Sequence, residues 1–139
     1  LLEEGFDVYQ TLVDDQQIDC VVRGRRGKAP VYLDIQVKAR SCEADRRSWG
    51  VWPSIKVTEP RENLFFVFYS EPLHKTSWVI PSQYLVAHSS RVLSGEYEGR
   101  FTVTLVTMSG DSERENPLFS RYKDSFKVLH DYIKRTSAT

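Results

Sequence analysis

The sequence predicts an α/β domain with a central mixed β-sheet flanked by helices. Strand-like segments dominate the first two thirds of the chain, one of them alternates apolar and polar residues, and an amphipathic helical pattern lies near the end. Regular strand–helix alternation is absent, which counts against a doubly wound parallel fold. No internal repeat or linker divides the 139 residues, so we expect one domain over residues 1–139.

The strand predictions follow runs of β-branched and aromatic residues. The clearest strand covers residues 31–40, whose apolar positions Val31, Leu33, Ile35, Val37 and Ala39 alternate with polar ones. Because strand side chains alternate between faces, the apolar face should join the core and the other should carry Asp34, Gln36 and Lys38. Residues 64–70 are apolar at successive positions, which is typical of a central buried strand. Further strands are predicted at residues 6–13, 18–23, 76–80 and 101–107.

Helical signals are fewer. Residues 1–5 read as the last turn of a helix that ends at Gly5, so the N-terminal helix is largely missing and we expect the natural protein to begin upstream. A short helix is predicted from Ser82 to about His88. A longer one is predicted over residues 117–135, on the apolar stripe Leu118, Tyr122, Phe126, Leu129 and Ile133. Residues 41–63 have no clear pattern and are expected to be irregular.

Composition restricts the function classes. The chain has 19 basic and 19 acidic side chains, and this zero net charge counts against a protein that coats nucleic acid, although a local basic patch remains compatible with it. Cys20 and Cys42 have no zinc-site spacing and read as free thiols of a cytoplasmic protein. No apolar run approaches the ~20 residues that a membrane helix needs.

Three polar residues form the candidate site. Asp19 lies in the second predicted strand, and Gln36 with Lys38 in the third. If these strands pair as a hairpin, a carboxylate and an amide oxygen can hold a divalent cation, with Asp34 as a reserve ligand. Lys38 would reach the same place. Metal-assisted phosphodiester hydrolysis requires these parts: a Lewis acid, an activated water and charge stabilisation.

These residues resemble the PD-(D/E)xK nuclease superfamily. The matching segments are Gly5-Phe6-Asp7-Val8, Ile18-Asp19, and the run IQVKAR from Ile35 to Arg40, with Gln36 where Asp or Glu is usual. The resemblance covers residues 1–40. It implies a restriction-endonuclease-like fold and a metal-dependent endonuclease that hydrolyses DNA with Mg²⁺ or Mn²⁺. Many relatives carry a glutamate in the middle of the first helix. Here its counterpart is expected before residue 1, and Glu3 and Glu4, which lie close to Gly5, are the candidates within the sequence.

A basic cluster could contact DNA. Arg23, Arg25, Arg26 and Lys28 fall in one predicted hairpin tip, and Arg40 could extend the patch toward phosphates. A solvated loop explains the hairpin charges equally well.

Two other functions stay open. The same fold could have lost catalysis and bind nucleic acid or a protein partner, which neutral Gln36 and the zero net charge favour. A structural subunit could instead form a homodimer through Trp49 and Trp52, although packing of these rings over the sheet is also compatible with the sequence.

Overall fold

The computed structural model describes residues 1–12, 17–26 and 29–136. In chain order its strands and helices are β1 (Asp7–Gln10), β2 (Cys20–Arg26), β3 (Ala29–Arg40), β4 (Val51–Ile55), β5 (Leu64–Ser70), β6 (Thr76–Pro81), α1 (Ser82–His88), β7 (Ser90–Arg91), β8 (Phe101–Thr104), β9 (Val106–Ser109), β10 (Ser112–Glu115) and α2 (Lys127–Thr136).

A five-stranded mixed sheet forms the centre, with the strand order β1-β2-β3-β5-β6. β1, β2 and β3 pair antiparallel, β3 and β5 pair parallel, and β5 and β6 pair antiparallel. The predicted β2–β3 hairpin is therefore confirmed. The parallel pair requires a crossover connection, which residues 41–63 supply.

One face of this sheet packs against the N-terminal turn and α2. Val22, Leu33 and Ile35 are fully buried there, beneath Leu129 of α2 and Phe6. The amphipathic stripe of α2 thus meets the alternating apolar face of the hairpin. This contact excludes water from the hairpin on the side opposite Asp34 and Gln36.

The other face packs against a second sheet, with the strand order β4-β8-β7, and against α1. Phe66 and Phe68 of β5 and Trp78 of β6 are buried beneath Trp52 of β4. Trp52 contacts Phe68 at 5.0 Å between ring centroids and Trp78 at 6.5 Å. β5 is consequently buried on both faces, as its uninterrupted apolar sequence predicts.

The segment predicted to be irregular contains a strand. β4 occupies its middle, preceded by a 3-10 turn at Arg46–Ser48, in which the Asp45 carboxylate accepts a hydrogen bond from Arg47 N. Pro53 and the left-handed Ser54 (φ 65) interrupt the strand pattern in the sequence, and the pairing of β4 with β8 shifts register there. A strand with a bulge lacks the regular alternation that identifies a strand.

The C-terminal helix begins at Lys127, so the prediction of a helix over residues 117–135 was wrong at its start. Asp124 has a left-handed φ of 46, and its carboxylate accepts a hydrogen bond from Ser77 N at 2.9 Å. Tertiary pairing to β6 therefore overrides local helix propensity. Leu118, assigned to the apolar stripe, is 46% exposed.

Three strand predictions need revision at their bounds. Residues 101–107 form two strands, β8 and β9, because strand geometry is interrupted at Leu105. The amides of Leu105 and Val106 both donate to Gly50 O there. The strand predicted over residues 6–13 is limited to β1, and its last residue, Val13, lies outside the described residues. β2 begins at Cys20 and runs to Arg26, beyond the predicted end.

The apolar face of β3 is shorter than its sequence pattern predicts. Val37 is 40% exposed and Ala39 is exposed, whereas Gln36 on the opposite face is only 6% exposed. The layer of Phe6 and α2 covers β3 as far as Ile35, while the second sheet covers the polar face near Gln36.

At the N-terminus, Leu2–Glu4 form a 3-10 turn that ends at Gly5, whose φ of 80 is left-handed. The predicted helix end is therefore confirmed. Across residues 1–12, 17–26 and 29–136, no helix combines the length and apolar character that crossing a bilayer requires.

Gly50 is required by close backbone contact. A Cβ built on Gly50 would lie 2.4 Å from Val106 O, whereas one on Gly110 meets nothing within 4 Å and is opposed only by a left-handed φ of 58. We expect Gly50→Ala to lower the free energy of unfolding by about 3 kcal/mol, because the backbone carbonyl of Val106, unlike a side chain, cannot rotate away from the added methyl group. Gly110→Ala should cost about 1 kcal/mol. Urea denaturation measures both, and equal losses would contradict the contact.

Candidate functional site

The candidate site lies where β2 and β3 begin their pairing. Cys20 is the Cα partner of Ile35, and Asp19 N donates to Ile35 O at 2.9 Å. Asp19, one residue before β2, therefore lies across from Gln36. Its Oδ2 accepts a hydrogen bond from Val37 N at 2.6 Å, in place of a backbone carbonyl. The structure thus brings the Asp19 carboxylate to the point of β3 between Gln36 and Lys38.

Gln36 and Lys38 lie on the same face of β3. Their Cα partners in β5 are Phe66 and Phe68, so both residues emerge beside the apolar layer beneath the second sheet. Gln36 is buried, Lys38 is half-buried and Asp19 is exposed. The three predicted residues therefore span a gradient from the protein interior to solvent within a short stretch of the hairpin.

A cleft of about 710 Å³ opens at Gln36. The segment between β4 and β5 forms its other side. In the described part of the chain, the polar residues that line the cleft are Gln17, Gln36, Lys56, Thr58, Glu59 and Arg61. Neither Asp19 nor Lys38 lines it. Asp19 is hydrogen-bonded to Val37 N, next to Gln36 in the chain, and Lys38 lies two residues beyond Gln36 on the same face of β3.

Asp34, the predicted reserve ligand, is engaged in an ion pair. Its Oδ2 lies 2.6 Å from Arg61 Nη2, and the Asp34 side chain is 17% exposed. Because a guanidinium in contact neutralises the carboxylate, Asp34 would have to exchange Arg61 for a cation before it could act as a ligand. Among the described residues, no group of three His, Cys, Asp or Glu side chains is arranged to hold a metal ion.

The predicted basic cluster is divided in space. Arg23 and Arg25 lie in the hairpin, whereas Arg40 lies at the other end of β3, roughly 33 Å from the residue opposite Arg25 at about 3.3 Å per residue. Arg25 is exposed. Lys28 and the side chain of Arg26 lie outside the described residues.

Arg23 and Arg40 both have partners within the protein. Arg23 Nη2 lies 2.7 Å from Asp7 Oδ2, and its guanidinium lies 5.4 Å from the centre of the Tyr9 ring. Arg40 donates to Ser48 O at 3.1 Å and to Val51 O at 3.0 Å. Arg40 therefore attaches the crossover segment, residues 41–63, to β3.

Two ionisable groups near the hairpin have shifted pKa values. The hydrogen bond and the positive charge of Arg23 lower the pKa of the Asp7 carboxyl. Burial, and then the negative charge of Asp19, raise the pKa of the Cys20 thiol. Cys20 and Cys42 are both free, as the sequence predicts.

The tryptophans belong to the protein interior. Trp52 is 2% exposed, and Trp49 donates through Nε1 to Ala44 O at 3.0 Å while packing against the same core. The packing interpretation is confirmed for Trp52. Trp52 is not free to form a homodimer surface, because its ring is already buried between the second sheet and the central sheet.

Comparison with known proteins identifies a structural relative. The solved structure of a bacterial homing endonuclease, I-Ssp6803I, matches with a TM-score of 0.57 and 20% sequence identity, over 99% of this chain and 86% of that chain. This chain has a nuclease-like fold. The predicted restriction-endonuclease-like α/β class, with its central mixed sheet, is confirmed. No protein-family model matches the chain, and no curated protein does.

Sequence reasoning missed the far side of the cleft. Lys56, Glu59 and Arg61 lie in the segment predicted to be irregular, and no local pattern relates them to Gln36. A prediction of β4 from the sequence would have brought these three residues together, because a strand that ends at Ile55 confines them to one short connection before β5.

The Asp7–Arg23 pair can be tested by titration. Arg23→Met removes the hydrogen bond that lowers the pKa of Asp7, so this pKa should rise toward the ordinary aspartate value. Carboxyl-carbon chemical shifts measured by NMR as a function of pH give it directly. Asp131, whose pKa is lowered by a hydrogen bond from Lys127, serves as the internal control and should not move. An unchanged Asp7 titration would show that Arg23 does not hold the carboxylate in solution.

Proposed function

We propose that this domain hydrolyses DNA phosphodiester bonds in a metal-dependent reaction. The observation that supports this most directly is the hydrogen bond that holds the Asp19 carboxylate between Gln36 and Lys38. The relative I-Ssp6803I is described as a homing endonuclease and has the same fold. The fold raises the expectation of a nuclease, but the function has to be argued from the site itself.

The donor atoms at the site are compatible with Mg²⁺ or Mn²⁺. Hard divalent cations select oxygen ligands, and Mg²⁺ commonly uses one or two carboxylates together with waters and substrate phosphate. Asp19 would supply the carboxylate, since its second oxygen and remaining lone pairs are not needed by Val37 N. Gln36 would supply an amide oxygen, and Asp34 is the reserve ligand. When bound, the cation would provide Lewis-acid activation at phosphorus.

In the proposed mechanism, Lys38 provides electrostatic stabilisation of the reacting phosphate. It lies two residues from Gln36 on the same face, and it is half-buried beside Phe68. An ammonium in such a site interacts more strongly with developing negative charge than one in bulk water. We assign Lys38 to stabilise the charge at phosphorus and to orient the attacking water.

The hairpin would contact the DNA backbone away from the reacting phosphate. Arg25 is exposed, and Arg26 and Lys28 follow it in the sequence. Arg23 could contribute once a phosphate competes with Asp7. Arg40 is assigned a structural role instead, because its guanidinium is held by two backbone carbonyls.

The second candidate function is binding without catalysis. Gln36 is neutral and Asp34 is paired with Arg61, so Asp19 is the one carboxylate of the three predicted ligand positions without a cationic partner among the described residues. A single carboxylate and an amide oxygen give low cation affinity in the absence of substrate phosphate. A domain of this kind could bind DNA and leave hydrolysis to another chain.

Metal binding separates the two functions. We expect Mg²⁺ or Mn²⁺ to bind the wild type in isothermal titration calorimetry in the presence of duplex DNA, and Asp19→Ala to weaken this binding by at least about tenfold, since a ligand is removed. Asp131→Ala is the control, because Asp131 is an exposed carboxylate on α2, over the other face of the sheet, and does not line the cleft. Equal binding by wild type and Asp19→Ala would exclude Asp19 as a ligand, and no binding to either would favour the non-catalytic function.

Hydrolysis itself is tested at Lys38. With Mn²⁺ and a mixture of long DNA substrates, we expect Lys38→Ala to lower the cleavage rate by about 100-fold or more, as removal of one charge-stabilising donor does elsewhere. Circular dichroism and thermal unfolding should match the wild type, because Lys38 is half-buried and no hydrogen bond or ion pair of its side chain occurs among the described residues. Cleavage that persists in Lys38→Ala would refute the assignment.

A further inference from the structure

The connection between β4 and β5 is held rigidly at Arg61. The hydroxyl of Ser82, which is fully buried at the start of α1, accepts a hydrogen bond from Arg61 N at 3.0 Å and donates one to Arg61 O at 2.9 Å. Asp34 N donates to Asn63 O at 2.8 Å. Both sides of Arg61 are therefore attached to other elements, α1 on one side and β3 on the other.

The Arg61 side chain is equally constrained. Nη2 lies 2.6 Å from Asp34 Oδ2, and Nη1 donates to Glu59 O at 3.3 Å. A guanidinium has five N–H donors, so these two bonds leave donors for a further acceptor. The Arg61 side chain is 32% exposed and lines the cleft at Gln36. Asp34 thus acts as a positioning residue that directs the guanidinium into the cleft.

Lys56 supplies a second positive charge to the same cleft. It follows Ile55, the buried last residue of β4, and is exposed. Across the described residues, no carboxylate forms an ion pair with Lys56, so its ammonium is available to a ligand. Thr58 also lines the cleft and adds a hydroxyl. Among the described residues, Glu59 is the one acidic side chain that lines the cleft.

We propose that Lys56 and Arg61 form a phosphate-binding subsite that receives the DNA backbone next to the bond at Asp19, Gln36 and Lys38. Phosphate is the ligand chemistry that suits a fixed guanidinium fork and a mobile ammonium together. The cleft continues to Gln36, so a strand whose phosphate lies at Arg61 would present a neighbouring phosphate to the candidate site. This subsite rests on DNA being the substrate, but it requires neither metal nor hydrolysis.

Fluorescence anisotropy with a labelled random-sequence duplex in EDTA tests the subsite. Each neutralised phosphate contributes about one power of salt concentration, so Lys56→Met should weaken DNA binding by about tenfold at 0.1 M salt and lower the salt slope by about 1. Arg61→Met should do the same. Lys127→Met is the matched control, because Lys127 is an exposed cation on α2, over the other face of the sheet, and is paired with Asp131.

Asp34→Asn separates positioning from bulk charge. If only net charge matters, Asp34→Asn should tighten DNA binding, because it removes a negative charge. If Asp34 positions Arg61, Asp34→Asn should instead weaken DNA binding. Arg61→Lys, which keeps the positive charge, should bind DNA more tightly than Arg61→Met. Because Arg61→Met leaves Asp34 unpaired and could destabilise the fold, exposed Lys56 provides the decisive variant. Thermal unfolding of each variant accompanies the binding assay.

The outcomes are distinct. DNA affinity and salt slope in Lys56→Met and Arg61→Met that equal those of Lys127→Met would overturn the subsite and leave the hydrolytic proposal standing. Weakened binding by both variants in a protein that never cleaves DNA would support the subsite and refute hydrolysis. Binding of inorganic phosphate, detected by calorimetry, without binding of the duplex would overturn the subsite as a DNA contact.

Discussion

The antiparallel register of β2 and β3 determines where the candidate site lies. Pairing of Cys20 with Ile35 puts Asp19 across from Gln36, and the hydrogen bond from Val37 N fixes the carboxylate at the end of the ladder. A slip of one residue would move the Asp19 side chain to the opposite face, against Phe6 and α2. Burial of Val22, Leu33 and Ile35 on that face makes such a slip costly, so the core enforces the geometry of the polar residues.

The two covered faces of the central sheet have different functions. The face beneath α2 supplies much of the apolar burial that stabilises the hairpin. The face beneath the second sheet carries the polar residues of β3 along with Phe66 and Phe68 of β5. Where the second sheet ends, the connection between β4 and β5 forms a cleft at Gln36. The boundary between an apolar layer and an open cleft gives a site with one buried and one solvated end.

Charge at the site is finely balanced. Gln36 replaces a charged ligand with a neutral one, and Arg61 neutralises Asp34. Arg61 is in turn held by Ser82 and Asp34. The contact between Arg61 and Asp34 therefore makes the Asp34 carboxylate unavailable as a metal ligand beside Gln36, and it also presents the Arg61 guanidinium to the cleft. In this arrangement, affinity for a cation depends on what else occupies the cleft. Substrate phosphate could therefore complete a ligand set that the protein provides only in part.

The sequence by itself determined the central elements. Alternation along residues 31–40 predicts β3 and places Asp34, Gln36 and Lys38 on one face, and the apolar run of β5 predicts its burial on both faces. These features depend on the period of the strand and on local composition, which are readable from neighbouring residues. The motif order from Gly5 to Lys38 also indicated the nuclease-like fold that the structural comparison supports.

Tertiary structure alone decided the rest. β4 lacks alternation because Ser54 adopts a left-handed conformation, and α2 begins late because Asp124 pairs with Ser77 of β6. Exposure of Val37 and burial of Gln36 depend on which layers reach that end of β3. Arg61 meets Asp34 across 27 positions of sequence. Each of these outcomes depends on contacts between distant segments, whose free energies exceed the local preferences that a sequence pattern records.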